Sequence, residues 1–199
     1  MRRIVFQSLL AAVFVSGIGA TGQAVEPDIL ARYAACKMPD GLEVVETAPL
    51  APGVHRRPVQ TIHGEQMITM EAGKRVMFAY PGEDFYANLK AERLPSATYA
   101  EEKQILIEDF DHTLAASTAS SRNYSLKPKL NGFSIYGLDR EKREGGVLGI
   151  YLLFDDNRHD AITIYFLNQE PPTRFQTMEQ YGKLRDSFLQ AYTSCLATQ

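Results

Sequence analysis

Cys36 and Cys195 are the only two cysteines in 199 residues, and they stand near opposite ends of the chain. Two chemistries are open to such a pair, a structural disulfide or a redox couple. Redox couples sit close together at a helix start, and these residues do neither. They read as a staple, worth about 4–5 kcal/mol through the long loop it closes. The four histidines, His55, His63, His112 and His159, are scattered without the His-x-x-x-His or Glu-x-x-His spacing that zinc uses. His112, beside Asp111, reads as a surface residue, and no metal or other cofactor is expected. Gly132-Phe133-Ser134-Ile135-Tyr136-Gly137 places its second glycine one position late for a nucleophile elbow and lies in a strand pattern. Asp155-Asp156-Asn157-Arg158-His159-Asp160 offers side-chain oxygens, from Asp155 and Asn157, at the first and third positions of a calcium loop. It lacks the glycine at the sixth, and Phe166 occupies the twelfth. It reads as a solvated hairpin turn. Asp139 to Glu144 is a mixed-sign hairpin tip, and Gly145-Gly146-x-x-Gly149 leads into a strand rather than a phosphate-cradling helix start.

The tyrosines offer a different chemistry. Tyr86, Asn88, Lys90 and Glu92 alternate along one face of a strand. With the registers aligned, they border a polar-aromatic groove with Tyr136 and Tyr165 from neighbouring strands, a surface suited to a ligand or a partner. The competing reading packs these rings under helices with their hydroxyls at the edge.

Positioning these residues requires a particular run of elements. Pro27 and Asp28 open a short helix ending near Cys36-Lys37. Residues 38–58, with four prolines, read mostly as an extended loop wrapping the domain, with a short strand at Leu42–Glu46. Val59–His63, Gln66–Met70, Lys74–Tyr80 and Phe85–Arg93 read as strands separated by turn signals. Thr98 with Glu101 predicts a capping box and a helix to about Ala116, followed by a small-residue loop at Ala115–Ser121. Phe133–Leu138, Val147–Phe154 and Ala161–Leu167 read as three strands, the last two apolar on both faces and therefore central. Pro171-Pro172 breaks the chain, and Thr177 with Gln180 caps a final helix to Leu196. Ile29, Tyr33 and Cys36 share one helical face, as do Tyr181, Leu184, Phe188, Tyr192 and Cys195, which lets the two cysteines meet. The expected fold is a single α+β domain: a mostly antiparallel sheet of about 6–7 strands sandwiched by helices on both faces, with the terminal helices joined by a disulfide. A helix and extended segment at 25–58 precedes the sandwich proper at 59–199.

Residues 1–24 read as an address. Arg2-Arg3, the apolar run from Ile4 to Ala20 and Gly22-Gln23-Ala24 form the three regions of a signal peptide, with cleavage expected after Ala24. The apolar run is interrupted by Gln7, Ser8, Ser16, Gly17 and Gly19, marginal for a span. The expected location is the periplasm or the exterior, with no transmembrane segment after cleavage, and an oxidising compartment suits the disulfide.

The strand Phe85-Tyr86-Ala87-Asn88-Leu89-Lys90-Ala91-Glu92-Arg93 with its capped helix from Thr98, and the meander from Phe133 to Asn168 with its C-terminal helix, together resemble the PsbP-like and DcrB-like α/β/α sandwich domains. The resemblance spans about 59–196 as element order. It implies a small accessory or binding protein of an exported compartment. The fold has no shared catalytic site, so no functional residue transfers. Charge agrees in excluding one class: 21 Lys and Arg against 24 Asp and Glu, net −3, do not suit nucleic acid. The functional expectation is a non-enzymatic binding protein for an unknown envelope protein or small ligand. The alternatives are a hydrolase with an acid/base pair drawn from Lys90, Glu92 or Asp139, and an immunity-type inhibitor acting through the charged tips.

Overall fold

Asp28 starts the described chain with a local bond, its Oδ1 accepting the Leu30 N–H at 3.0 Å. One turn later comes α1 (Arg32–Ala35), which ends where Cys36 turns extended and Pro39 follows. The computed structural model describes residues 28–51, 53–83, 85–116, 122–144, 146–168 and 177–199. The expected signal segment 1–24, positions 117–121 of the small-residue loop and Pro171-Pro172 lie outside them.

Five strands precede the middle helix: β1 (Glu43–Ala51), β2 (His55–Thr61), β3 (Gly64–Met70), β4 (Ala72–Ala79) and β5 (Phe85–Arg93). Helix α2 (Tyr99–Ala116) follows, then β6 (Arg122–Leu130), β7 (Phe133–Glu144), β8 (Val147–Asp155), β9 (Asp160–Asn168) and α3 (Met178–Ala197). Seven strands form one antiparallel sheet in the order β1-β4-β5-β9-β8-β7-β6, while β2 and β3 form a separate two-stranded sheet. After β5 the chain crosses through α2 to the far edge and returns as a four-strand meander, so β9 pairs with β5 at the centre.

The sheet is the middle of three layers. On one face Phe78, Phe85 and Phe166 meet Phe188 and Tyr192 of α3 together with Leu30 and Tyr33. Phe166 and Phe188 meet edge to face at 5.3 Å, and the Tyr192 hydroxyl donates to the Tyr33 carbonyl at 2.9 Å. On the other face Ile150, Leu152 and Phe154 pack with Leu106 and Phe110 of α2 and with Val59, Ile68 and Met70 of the β2–β3 hairpin. Strand β5 shows how the pattern sorts: Phe85, Ala87, Leu89 and Ala91 are fully buried toward α3, and the alternate residues face α2. Strand β8 is buried on both faces, as its unbroken apolar run predicts.

The terminal disulfide is present. Cys36 and Cys195 are bonded with Cα atoms 5.9 Å apart, joining the residue after α1 to the last turn of α3. The predicted Thr177–Gln180 capping box also forms: the Thr177 hydroxyl accepts the Gln180 N–H and the Gln180 side chain accepts the Thr177 N–H.

Four expectations need correction. The segment at 38–58 is no wrapping loop. It carries β1, whose Pro49 is tolerated because β1 is an edge strand and its register shifts between Pro49 and Ala51. The boundary at 58/59 falls inside β2, and α1 and β1 belong to the sandwich itself. Strand β6, the opposite edge, lies outside the expected elements. Tyr124, Leu126 and Leu130 do alternate with Ser125, Lys127 and Lys129, but Pro128 inside the run argues against a strand and is tolerated only because β6 is an edge. The helix start is also different. Thr98 Oγ1 reaches Glu102 rather than Glu101, at 3.5 Å, while Glu102 Oε2 accepts the Thr69 N–H of β3 at 3.1 Å.

That last bond has a counterpart. Asp109 Oδ1 accepts the Gln60 N–H of β2 at 3.1 Å. Both strands of the small sheet therefore donate a backbone N–H to a carboxylate of α2. Those bonds dock the hairpin on the helix instead of extending the main sheet.

Candidate functional site

Strand register decides which of the polar residues meet. Asn88 pairs with Tyr165, Lys90 with Thr163 and Glu92 with Ala161 across β5 and β9. Ile150 and Leu152 of β8 pair with Tyr165 and Thr163. All of these lie on the α2 side of the sheet. Helix α2 contributes Leu106, Asp109, Phe110 and Thr113 from above, and β2 brings Arg57 across. Between them lies a cavity of about 110 Å³ whose walls include Lys90, Thr163, Tyr165, Ile150 and Leu152.

The charged wall is built on Glu92. This glutamate is buried and takes three donors: Lys90 Nζ at 2.9 Å, and Arg57 Nε and Nη2 at 3.2 Å each. Its charge offsets the cost of placing two cations at a partly desolvated surface. Burial still holds the Lys90 ammonium below the usual lysine range; the nearby Arg57 charge adds to this, and Glu92 counteracts it. Burial likewise raises Tyr165, so its phenol stays protonated and can donate.

The six residues expected to border a groove are therefore spread unequally. Lys90 and Tyr165 line the cavity, and Glu92 stands directly behind it. Asn88 lies opposite Tyr165 and Tyr86 one pair further along, both half-buried outside the wall. Tyr136 is two strands away from β9, its ring 6.4 Å from Phe110 and 6.0 Å from Phe154, and serves the second core. Sequence reasoning missed Arg57, Asp109 and Thr163. Thr163 was recoverable from its alternation with Tyr165, whereas Arg57 precedes Pro58 in a stretch read as loop.

The opposite face holds a second polar cluster. Asp139 accepts the Tyr151 hydroxyl at 2.6 Å and the Tyr181 hydroxyl at 3.2 Å, and is paired with Arg185. Burial pushes its carboxyl up, and these three donors oppose that. The cluster is seated on backbone: a Cβ at Gly149 would lie 2.2 Å from the Tyr181 hydroxyl, and one at Gly137 2.4 Å from the Tyr151 ring. Asp139 thus belongs to the α3 side, with the sheet between it and Lys90 and Glu92. It is a buried anchor for α3, not part of an exposed hairpin tip.

The Asp155–Asp160 turn is likewise less solvated than expected. Asp155 and Asp160 are buried, and only Asp156 of the three faces outward. Asp155 accepts the N–H groups of Asn157 and Arg158 and an Arg32 bond at 3.4 Å, so its oxygens are committed to the turn and to α1. Among the described residues, no group of three His, Cys, Asp or Glu side chains is placed to hold a metal ion.

No family model matches this chain, and no curated protein or solved structure matches it either. Among the described residues, no helix is long and apolar enough to cross a membrane.

Proposed function

We propose that this chain is an exported, non-enzymatic binding protein that takes a small ligand in the cavity between α2 and the sheet. The observation that carries the reading is the cavity wall itself. It combines two cations, three hydroxyls and one carboxylate with an apolar floor of Leu106, Phe110, Ile150 and Leu152, the mixture that orients a small molecule by a few polar contacts. The residues considered for an acid/base pair argue for binding over hydrolysis. Lys90 and Glu92 are tied to each other, and Asp139 stands behind the sheet. Export is supported by the composition of residues 1–24 and by a disulfide that an oxidising compartment sustains. The resemblance of the sequence's element order to PsbP-like and DcrB-like domains points the same way.

Two measurements test this. Intact mass of the protein recovered from its own cell envelope is expected to begin at Val25; retention of residues 1–24 overturns the cleaved-export reading. Native mass spectrometry of the mature protein against a small-metabolite mixture is expected to give a one-to-one adduct that Lys90→Met removes. Turnover of ester or amide substrates that Lys90→Met abolishes would overturn the non-enzymatic reading.

A further inference from the structure

We propose that the cavity ligand is a short-chain monocarboxylate, its anion held by Lys90, Arg57, Tyr165 and Thr163 and its alkyl tail laid on Leu106 and Ile150. This rests on the reading of the cavity as a ligand site and adds the chemical class. The argument is a donor inventory. A lysine ammonium has three N–H donors and an arginine five. Glu92 takes one from Lys90 and two from Arg57, through Nε and Nη2. That leaves two N–H of Lys90 and three of Arg57, both on Nη1 and the second on Nη2, without a protein acceptor among the described residues. The hydroxyls of Tyr165 and Thr163 have no hydrogen-bond partner among the described residues either, and both line the same space.

Acceptors are scarcer. Glu92 is spent, and Asp109, the one carboxylate in the wall, already receives the Gln60 N–H on Oδ1. A ligand that brought donors would meet a surface of donors. One that brings a carboxylate meets two partly free cations and two hydroxyls, the strong charge-assisted arrangement. The depressed proton affinity of Lys90 agrees, since burial and Arg57 leave its positive charge incompletely compensated.

Size and access complete the class. A cavity of about 150 Å³ holds a benzene ring, and this one measures about 110 Å³. It therefore suits a molecule of about four to six non-hydrogen atoms, such as butyrate or isobutyrate. The Lys90 and Arg57 side chains are 28% and 29% exposed, so water and an incoming anion can reach them.

The experiment is an NMR titration of the isotopically labelled mature protein with three near-isosteric probes: butyrate, neutral butyramide and cationic butylammonium. Butyrate is expected to shift Lys90, Thr163 and Tyr165 and to bind at least about tenfold more tightly than butyramide, the value of one charge-assisted bond. Lys90→Met and Arg57→Met are each expected to remove that preference. Tyr165→Phe and Thr163→Val, which leave the charges in place and keep their own foldedness readout in the same spectra, are expected to weaken butyrate selectively. Equal binding of butyrate and butyramide overturns the carboxylate class while leaving the cavity as a ligand site. Preference for butylammonium does the same and assigns the wall to Asp109. No shift at these residues with any probe overturns the ligand-site reading itself.

Discussion

The Tyr33 hydroxyl donates to Asp160 Oδ2 at 2.6 Å across 127 residues of sequence, and both residues are fully buried. Arg93 completes the group, with Nη2 on the same oxygen at 3.2 Å and Nε on the other. One carboxylate thereby ties α1, the end of β5 and the start of β9, and burial with the adjacent Asp160 charge holds the Tyr33 phenol protonated. Tyr33→Phe leaves Arg93 in place and is expected to cost about 1–3 kcal/mol. Arg93→Met strands a buried carboxylate and is expected to cost about 3–5 kcal/mol. Urea unfolding at neutral pH checks the order; equal losses would refute this division of roles.

The Cys36–Cys195 bridge spans 159 residues of sequence, so it constrains nearly the whole unfolded chain. Replacing both cysteines with serine is expected to lower stability by about 4–5 kcal/mol while leaving the folded spectrum unchanged. A loss below about 1 kcal/mol would show that the Tyr33, Arg32 and Tyr192 bonds already hold α1 without it.

Two glycines should respond in opposite directions. Alanine at Gly149 would press on the Tyr181 hydroxyl and on Asp139 at 2.9 Å, in a layer that cannot yield. The expected cost is about 1–3 kcal/mol. Gly182 lies inside α3, where a Cβ would meet nothing nearer than Arg185 Nη2 at 3.5 Å. Gly182→Ala is expected to stabilise by about 0.5–1 kcal/mol. Thermal melts of the two variants beside the parent settle the signs.

Acid stability should depend on Asp156. Burial alone would raise its carboxyl. The Lys103 ammonium and the Tyr99 hydroxyl, each at 2.6 Å, outweigh that and hold it below the ordinary value of 3.8. A depressed carboxyl contributes stability above its unfolded value and loses it as pH falls through the folded one. Asp156→Asn should therefore be less stable than the parent at pH 7. The two should converge at acid pH, below the folded-state value. A gap that persists unchanged under acid would mean that packing, not charge, makes the difference.

Much of this architecture was legible because it is local. The two-sided apolar runs of β8 and β9 announce central strands, the alternation of β5 divides its residues between the two faces, and Thr177 with Gln180 announces a helix start. The disulfide was legible from the number of cysteines and, for Cys195, from the helical phase of α3. The expected face of Ile29, Tyr33 and Cys36 does not form, because Ile29 is exposed and Cys36 is extended beyond the end of α1. The candidate site was legible only in part: alternation put Lys90, Glu92 and Tyr165 on a shared face, but nothing local separates Tyr136, which is packed into the second core, from Tyr165 in the cavity wall.

The amino-acid pattern by itself determined which residues each strand turns to either side, because side-chain direction follows from backbone period alone. Tertiary structure decided which strands become neighbours and what covers them. Carboxylates Glu102 and Asp109 capture the edges of β2 and β3 and dock that hairpin on α2, which brings Arg57 to Glu92. The Asp139 cluster forms only where α3 lands on Gly149. Both outcomes depend on bonds between residues far apart in the chain. Their partners are chosen by the closure of the whole fold and leave no periodic trace in the sequence.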